Sequence, residues 1–170
     1  MLTPTLPTIR GKLPDEKIDL GEFLPWDTEG AESIVHGLMR CFDIEEDDRQ
    51  YKTAIGEAIA AERVIRIPQK IDSPKKFLVA VHEIGHIKYS SKKYKFDYLS
   101  EYDAEQYAIN IGKSLGFIKK RSMDAYIVSA RKYVLSFIMR DLKKIKIKDI
   151  PTNIVEWIDD VELNKKFYGS

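Results

Sequence analysis

The pentapeptide His82-Glu83-Ile84-Gly85-His86 constrains this chain more than any other feature of its sequence. On an α-helix, residues four apart lie one above the other on one face, so the imidazoles of His82 and His86 can bind one metal ion. Glu83 stands next to the first histidine, where a carboxylate that is not a ligand can take a proton from water. The motif is typical of a helix that carries two zinc ligands and a general base.

The residues before the motif predict a strand followed by a helix. The segment from Arg63 to Ile67 is short, rich in β-branched residues and stopped by a proline, as expected of a strand. Ser73-Pro74 is a typical helix start, with serine as N-cap and proline at the first helical position, and apolar residues follow at helical intervals. We therefore expect both histidines of the motif to lie well inside a helix.

A catalytic zinc ion needs three protein ligands and one open position, so a third ligand must be found elsewhere. The chain has three histidines and one cysteine, and no histidine follows His86. His36 lies on the polar face of the predicted first helix, which favours a solvated role for it. The third ligand is therefore expected to be a carboxylate.

Two carboxylates downstream of the motif have suitable spacing. A helical pattern begins at Ser100 and has a plausible stop at Gly116. Within it, Glu101 and Glu105 are four residues apart and share a face. One can bind the metal while the other accepts a hydrogen bond from a liganding imidazole, and Asp97 is a substitute within one helical turn.

The motif and the segment from Glu101 to Ala108 together resemble the minimal gluzincin metallopeptidases, most of all the ImmA/IrrE family. In that family the zinc-binding helix is followed by one that reads glutamate, two residues, alanine, a polar residue, one residue, an aromatic residue and alanine. The resemblance implies an α+β fold: a minimal zincin-like domain, mostly helical, with a small sheet before the active-site helix.

The resemblance also implies a role for each residue of the site. It makes His82, His86 and Glu101 the ligands of a Zn²⁺ ion and Glu83 the catalytic base. Glu105 becomes the group that orients a liganding histidine. The implied activity is regulated cleavage of a specific intracellular protein, with repressors and stress-response regulators as the target class.

Length and composition indicate one domain. A chain of 170 residues with 44% hydrophobic and 32% charged side chains can bury a core of its own. Residues 1–28 contain four prolines and little periodicity, which predicts an extended N-terminal arm before a single domain over residues 29–170. No segment reads as a signal peptide or a membrane span, so we expect a cytoplasmic protein without a membrane partner.

Apolar periodicity predicts the remaining helices. A first helix starts at Glu29, and a second carries an apolar stripe over residues 51–59. Ser122 is the expected cap of a long amphipathic helix, and a short helix docked through Trp157 closes the chain. Cys41 is expected to be a small residue of the core or its margin.

The mechanism needs a hydrogen-bond donor for the negative charge that builds up on the carbonyl oxygen of the substrate. With no histidine left for this role, Tyr126 and Arg131 on the long helix are the candidates. A peptide substrate would bind as an added strand near Val64–Ile67 if that strand is an exposed edge of the sheet.

Two other classes of function stay open besides a zinc endopeptidase. A zincin-fold binding or regulatory module would hold the metal without useful turnover, and a missing donor would favour it. A nucleic-acid-binding protein would use the lysine clusters at 92–95, 119–120 and 143–148. The net charge of +1 and the interleaved acidic residues favour a solvated surface there, so nucleic acid is not an expected partner.

Overall fold

A computed structural model describes residues 25–169, so the predicted arm lies outside the described residues except for its last four. The described part is α+β and mostly helical, as predicted. In chain order its elements are α1 Thr28–Cys41, β1 Glu45–Glu46, β2 Glu57–Ile59, β3 Val64–Arg66, α2 Pro74–Lys88, α3 Asp97–Leu115, α4 Lys120–Asp141, a 3₁₀ turn Ile147–Asp149, α5 Thr152–Ile158 and α6 Val161–Tyr168.

The three short strands form one sheet in the order β1-β3-β2. β1 runs parallel to β3 and β2 antiparallel to it, and Ile65 of β3 pairs with both neighbours and is fully buried. The strand predicted before the motif is therefore confirmed, but it is the central strand. The expectation that a peptide could add beside Val64–Ile67 is wrong, because both edges of β3 are already hydrogen-bonded.

The helix predicted over residues 51–59 is also wrong. Tyr51 forms an isolated bridge with Pro68, and Glu57–Ile59 is the edge strand β2. The Arg66 guanidinium on β3 binds the Glu57 carboxylate at 2.8 Å and the Asp47 carboxylate at 2.9 Å. A run of apolar residues this short fits both the helical and the strand periodicity, so its structure depends on pairing with β3.

The helix ends follow local sequence closely. Ser73 caps α2 by accepting a hydrogen bond from the backbone N–H of Lys76, as predicted. α3 starts at Asp97, three residues before the predicted start, and ends at Gly116, whose φ of +70° suits a residue without a side chain. α4 begins at Lys120 with Lys119 at the N-cap position, three residues before the predicted cap Ser122.

Two apolar clusters stabilise the fold. The first joins α1, the sheet, α2 and α3. Trp26, just before α1, packs on Phe77 and Phe117 in this cluster and donates a hydrogen bond to the Ile71 carbonyl. The second joins α3 and α4 to α5 and α6. Residues of the predicted arm from Trp26 onward are thus part of the packed domain.

Two smaller expectations have mixed outcomes. Cys41 is exposed rather than buried, because it ends α1 on the side turned away from the core. The closing helix exists as α5, but Ile154, Val155 and Ile158 bury it, while the half-buried Trp157 rests its ring edge on Tyr102 at 5.2 Å. The sequence pattern did not predict α6.

Candidate metal centre

α2 places the two histidines of the motif on one face. Their Nε2 atoms lie 3.0 Å apart, and the rings meet edge to face at 4.7 Å. His82 is 6% exposed, so this pair of imidazoles lies at the margin of the core rather than in solvent. The helical spacing read from the sequence therefore brings two imidazole nitrogens together.

α3 crosses α2 at Gly85, the fourth residue of the motif. A Cβ at Gly85 would stand 3.0 Å from the Cα of Ala104 and 3.2 Å from its carbonyl oxygen. Because neither residue carries a large side chain, the two helix backbones approach closely at this point. This crossing brings Glu101, three residues before Ala104, over the histidine pair.

Glu101 completes a group of three donors. Its Oε2 atom lies 3.3 Å from His82 Nε2 and 3.4 Å from His86 Nε2. One ligand atom from each of these three residues falls within 4.8 Å of the others. Oε2 is buried and has no hydrogen-bond partner among the described residues. A buried oxygen that lies beside two nitrogens and is not hydrogen-bonded is suited to bind a metal ion. Two histidines and a carboxylate are a zinc donor set, and these residues fit that ion.

The other nitrogen of each imidazole faces a polar group on α3. His82 Nδ1 lies 3.4 Å from Glu105, and His86 Nδ1 lies 3.1 Å from the Ser100 hydroxyl. Contacts of this kind orient a liganding ring and select its tautomer. The structure thus places Glu105, the residue to which the resemblance gives an orienting role, beside His82. Ser100 was expected only as a helix start, although it directly precedes Glu101 and shares its end of the helix.

The charges of the metal-free centre are strongly coupled. Burial works to lower the pKa of His82, but Glu101 and Glu105 outweigh it and raise that pKa to about 10. Burial likewise works to raise the pKa of Glu101, but the two imidazoles lower it to about 2. In the absence of a metal, a proton on His82 therefore balances the carboxylates, and a metal ion would replace that proton.

Glu83 lies beside the donor set and is only 7% exposed. Burial raises the pKa of its carboxyl group. The backbone at Gly56, just before β2, passes directly over it: a Cβ there would stand 2.6 Å from the Glu83 Oε1 atom. Only glycine leaves room for this carboxylate, so the sheet edge fixes where Glu83 points.

A cavity of about 610 Å³ opens beside His82, Glu83 and Glu105. Its remaining walls come from residues 54–56, from the first half of α2 and from α4. Most of the side chains that line it are small or apolar, including Val79, Ala125 and Ala130. His82 of the donor set, together with Glu83, thus borders a space large enough for part of a ligand.

Tyr126 and Arg131, which the sequence suggested as hydrogen-bond donors to the carbonyl oxygen of a substrate, lie in different surroundings. Tyr126 lines the cavity, but its hydroxyl points at the Leu78 carbonyl at 3.5 Å, and burial raises its pKa well above the usual value. Arg131 is not among the cavity residues, and its guanidinium lies 6.0 Å from the Trp157 ring.

Tyr133 lines the same cavity and was not predicted from the sequence. Its ring lies 6.1 Å from the His82 ring, and it is 44% exposed. Burial of part of the side chain and the carboxylates of Glu101 and Glu83 raise its pKa to about 12. The available signal was its spacing, because it follows Tyr126 by seven residues and so occupies the same face two turns later.

Other residues weighed from the sequence stand apart from the centre. Asp97, the substitute ligand, is exposed and pairs with Arg140 at 2.7 Å. His36 is exposed and lies 3.4 Å from Glu46, in agreement with its expected solvated position.

Comparisons of the chain with known protein families, with curated proteins and with solved structures found no match. Across residues 25–169, no helix combines the length and the apolar character needed to cross a bilayer. What can be said of function therefore depends on the geometry of the metal centre and its cavity.

Proposed function

We propose that this protein is a zinc-dependent endopeptidase with a minimal zincin-like domain, similar to the ImmA/IrrE family. The observation that carries the proposal is the convergence of His82, His86 and Glu101 within 4.8 Å, beside Glu83 and a cavity. A glutamate next to two converging histidines is the arrangement that peptide hydrolysis uses.

Each residue of the centre contributes to this reaction in a different way. His82, His86 and Glu101 would hold zinc, which when bound supplies Lewis acidity that polarises a carbonyl and makes water easier to deprotonate. Glu83 takes a proton from water as the water oxygen bonds to the carbonyl carbon. It then gives that proton to the nitrogen as the C–N bond breaks. Burial raises the pKa of its carboxyl group, which helps it to hold the proton between the two steps.

The sheet offers a place for the substrate chain. Within residues 25–169, β2 is an edge strand that pairs only with β3 in the sheet, and Gly56 just before it lines the cavity next to Glu83. An extended peptide paired with this edge would run past the catalytic carboxylate. The resemblance adds the target class: an intracellular regulator or repressor protein.

The test uses Glu83→Gln, which keeps the size of the side chain but cannot accept the proton. Wild type and this variant are expected to bind one zinc per chain, and only wild type should cut a partner that the variant captures intact from native lysate. Glu62→Gln is the matched control, because Glu62 is exposed and outside the centre. Purified protein without stoichiometric zinc, or His82→Ala with unchanged metal content, would refute the proposal.

The same experiment separates the second class of function. If zinc binds but wild type releases its captured partner uncut, the chain is a metal-dependent binding module. Binding that persists after chelation and weakens steeply with salt would instead indicate nucleic acid.

A further inference from the structure

Hydrolysis of a peptide bond places negative charge on the carbonyl oxygen, and a donor already in position lowers the barrier. The centre's own side chains cannot serve. His82, His86 and Glu101 are assigned to the metal, and Glu83 and Glu105 are carboxylates. A donor must come from another wall of the cavity, where the side chains with polar hydrogens are Ser73, Lys75, Ser122, Tyr126, Ser129 and Tyr133. Ser73 caps the start of α2, the Ser129 hydroxyl donates to the Ala125 carbonyl at 3.1 Å, and Ser122 lies in the first turn of α4, eleven residues before Tyr133. Lys75, Tyr126 and Tyr133 remain.

Lys75 lies too far along α2. It precedes His82 by seven residues, which is two helical turns or about 10 Å along the axis. It is also exposed, so its ammonium group is hydrated rather than aimed at the metal centre.

Tyr126 is engaged elsewhere. Its hydroxyl donates towards the Leu78 carbonyl and is influenced by Glu105 on the far side of His82. At 3.5 Å the Leu78 contact is weak, but it shows that the Tyr126 hydroxyl is turned towards the α2 backbone. This favours a role in packing α4 against α2.

Tyr133 has the geometry that the other two lack. Its ring stands at 70° to the His82 ring with centroids 6.1 Å apart, and it lines the cavity on the same side as Glu83 and Glu105. Within the described residues that hydroxyl has no hydrogen-bond partner, so it is available to a ligand. It is therefore close to the centre, open to the cavity and uncommitted.

Packing holds the Tyr133 ring from behind. The Phe137 ring meets it edge to face at 5.0 Å, the Arg140 guanidinium covers Phe137 at 4.4 Å, and Arg140 is paired with Asp97 at the start of α3. This sequence of contacts ties the position of Tyr133 to the helix that carries Glu101. A donor fixed in this way costs little reorganisation during the reaction.

We propose that Tyr133 is a catalytic residue that donates its hydroxyl hydrogen bond to the carbonyl oxygen of the scissile peptide as that oxygen gains charge. The inference rests on the proposed function, since it assigns a donor to that reaction. Tyr133 changes no bond itself, and its proton stays on its own oxygen throughout.

The test compares two dipeptide ligands with identical side chains on zinc-loaded protein. A phosphonamidate presents a charged tetrahedral oxygen to the donor, whereas a mercaptoacyl ligand binds zinc through sulfur and presents no such oxygen. Tyr133→Phe should weaken the phosphonamidate by about 10²-fold and leave the mercaptoacyl ligand unchanged, in line with the cost of losing one oxyanion donor. Tyr168→Phe is the control, because Tyr168 is also exposed and also packs edge to face on a phenylalanine at 5.0 Å.

Cleavage gives a second readout. On a substrate cut by wild type, Tyr133→Phe should lower kcat by about 10²- to 10³-fold with little change in KM. Unchanged ligand selectivity in Tyr133→Phe, or loss of selectivity in Tyr126→Phe instead, would overturn the assignment while leaving the peptidase proposal intact. If zinc-loaded wild type binds neither ligand and cuts nothing, the peptidase proposal itself fails, and the role of Tyr133 fails with it.

Discussion

The wall of the cavity formed by α2 and α3 is built differently from the wall formed by α4. On the first, helix backbones touch at Gly85 and Ala104, and the polar groups of the centre are packed together with little exposure. On the second, apart from Tyr133, whose ring is held by Phe137, the cavity meets the small exposed side chains of Ala125 and Ser129. The tightly packed α2–α3 wall, called the rigid wall below, fixes the positions of the reacting groups, whereas the small side chains of the α4 wall leave room for different ligands.

The largest loss of activity is expected from a substitution at Gly56, whose backbone lies against the Glu83 side chain. Gly56→Ala would push the Glu83 carboxylate aside, because the new Cβ would overlap it. A displacement of about 1 Å can cost about 10²-fold in rate, so kcat should fall by that order while zinc content stays at one per chain.

The control for this change is Gly37→Ala on α1, where the nearest atom would be 3.9 Å from the new Cβ. Replacing a glycine inside a helix without a clash should stabilise the fold slightly, by about 0.5–1 kcal/mol. Equal activity in the two variants would show that the sheet edge does not position Glu83.

Gly85→Ala tests the helix crossing itself. The added methyl would meet the backbone of Ala104 rather than a flexible side chain, so α2 and α3 must separate. Overpacking of this kind costs about 1–3 kcal/mol, and zinc affinity should fall because Glu101 moves away from the histidines. Thermal unfolding with and without zinc measures both effects. A variant with wild-type stability and wild-type zinc affinity would mean that the close approach is not needed to assemble the centre.

The paired charges of this wall predict a pH dependence of metal binding. The pKa of His82 in the metal-free protein is about 10, so at neutral pH this residue carries a proton that zinc must displace. Glu101, with a pKa of about 2, is already ionised over this range. Zinc affinity should therefore rise by about tenfold per pH unit between pH 7 and 9, and further rise should stop above pH 10.

Calorimetry in buffers of different ionisation enthalpy measures the protons released when zinc binds. At least one proton per zinc is expected at pH 7. Zinc binding with no proton release at that pH would contradict the coupling of His82 to the two carboxylates.

The sequence predicts the α2–α3 wall better than it predicts the sheet and the α4 wall. The rigid wall depends on local spacing: His82 and His86 four apart, a serine cap before α2, and Glu101 at the start of the next helix. Contacts between distant segments were not visible. The central place of β3 depends on strands of two and three residues, and the proximity of Tyr133 to His82 depends on how α4 packs across α2. The strand pairing leaves no periodic signal in the chain, and the spacing of Tyr133 from Tyr126 indicates a shared helix face but not which residues lie opposite it.

The smallest effect on stability is expected on the α4 wall. Ala125→Leu adds volume at an exposed position that lines the cavity, so the free energy of unfolding should change by less than about 0.5 kcal/mol and zinc content should not change. Its effect should appear as a shift in which peptide side chains are accepted, measured as kcat/KM over a set of substrates that differ at one residue. Ala104→Leu is the matched change on the rigid wall, where Ala104 is fully buried against Gly85, and it should destabilise the protein by about 1–3 kcal/mol. If the two substitutions cost the same, the walls do not differ in tolerance, and specificity must be sought at the edge of β2 instead.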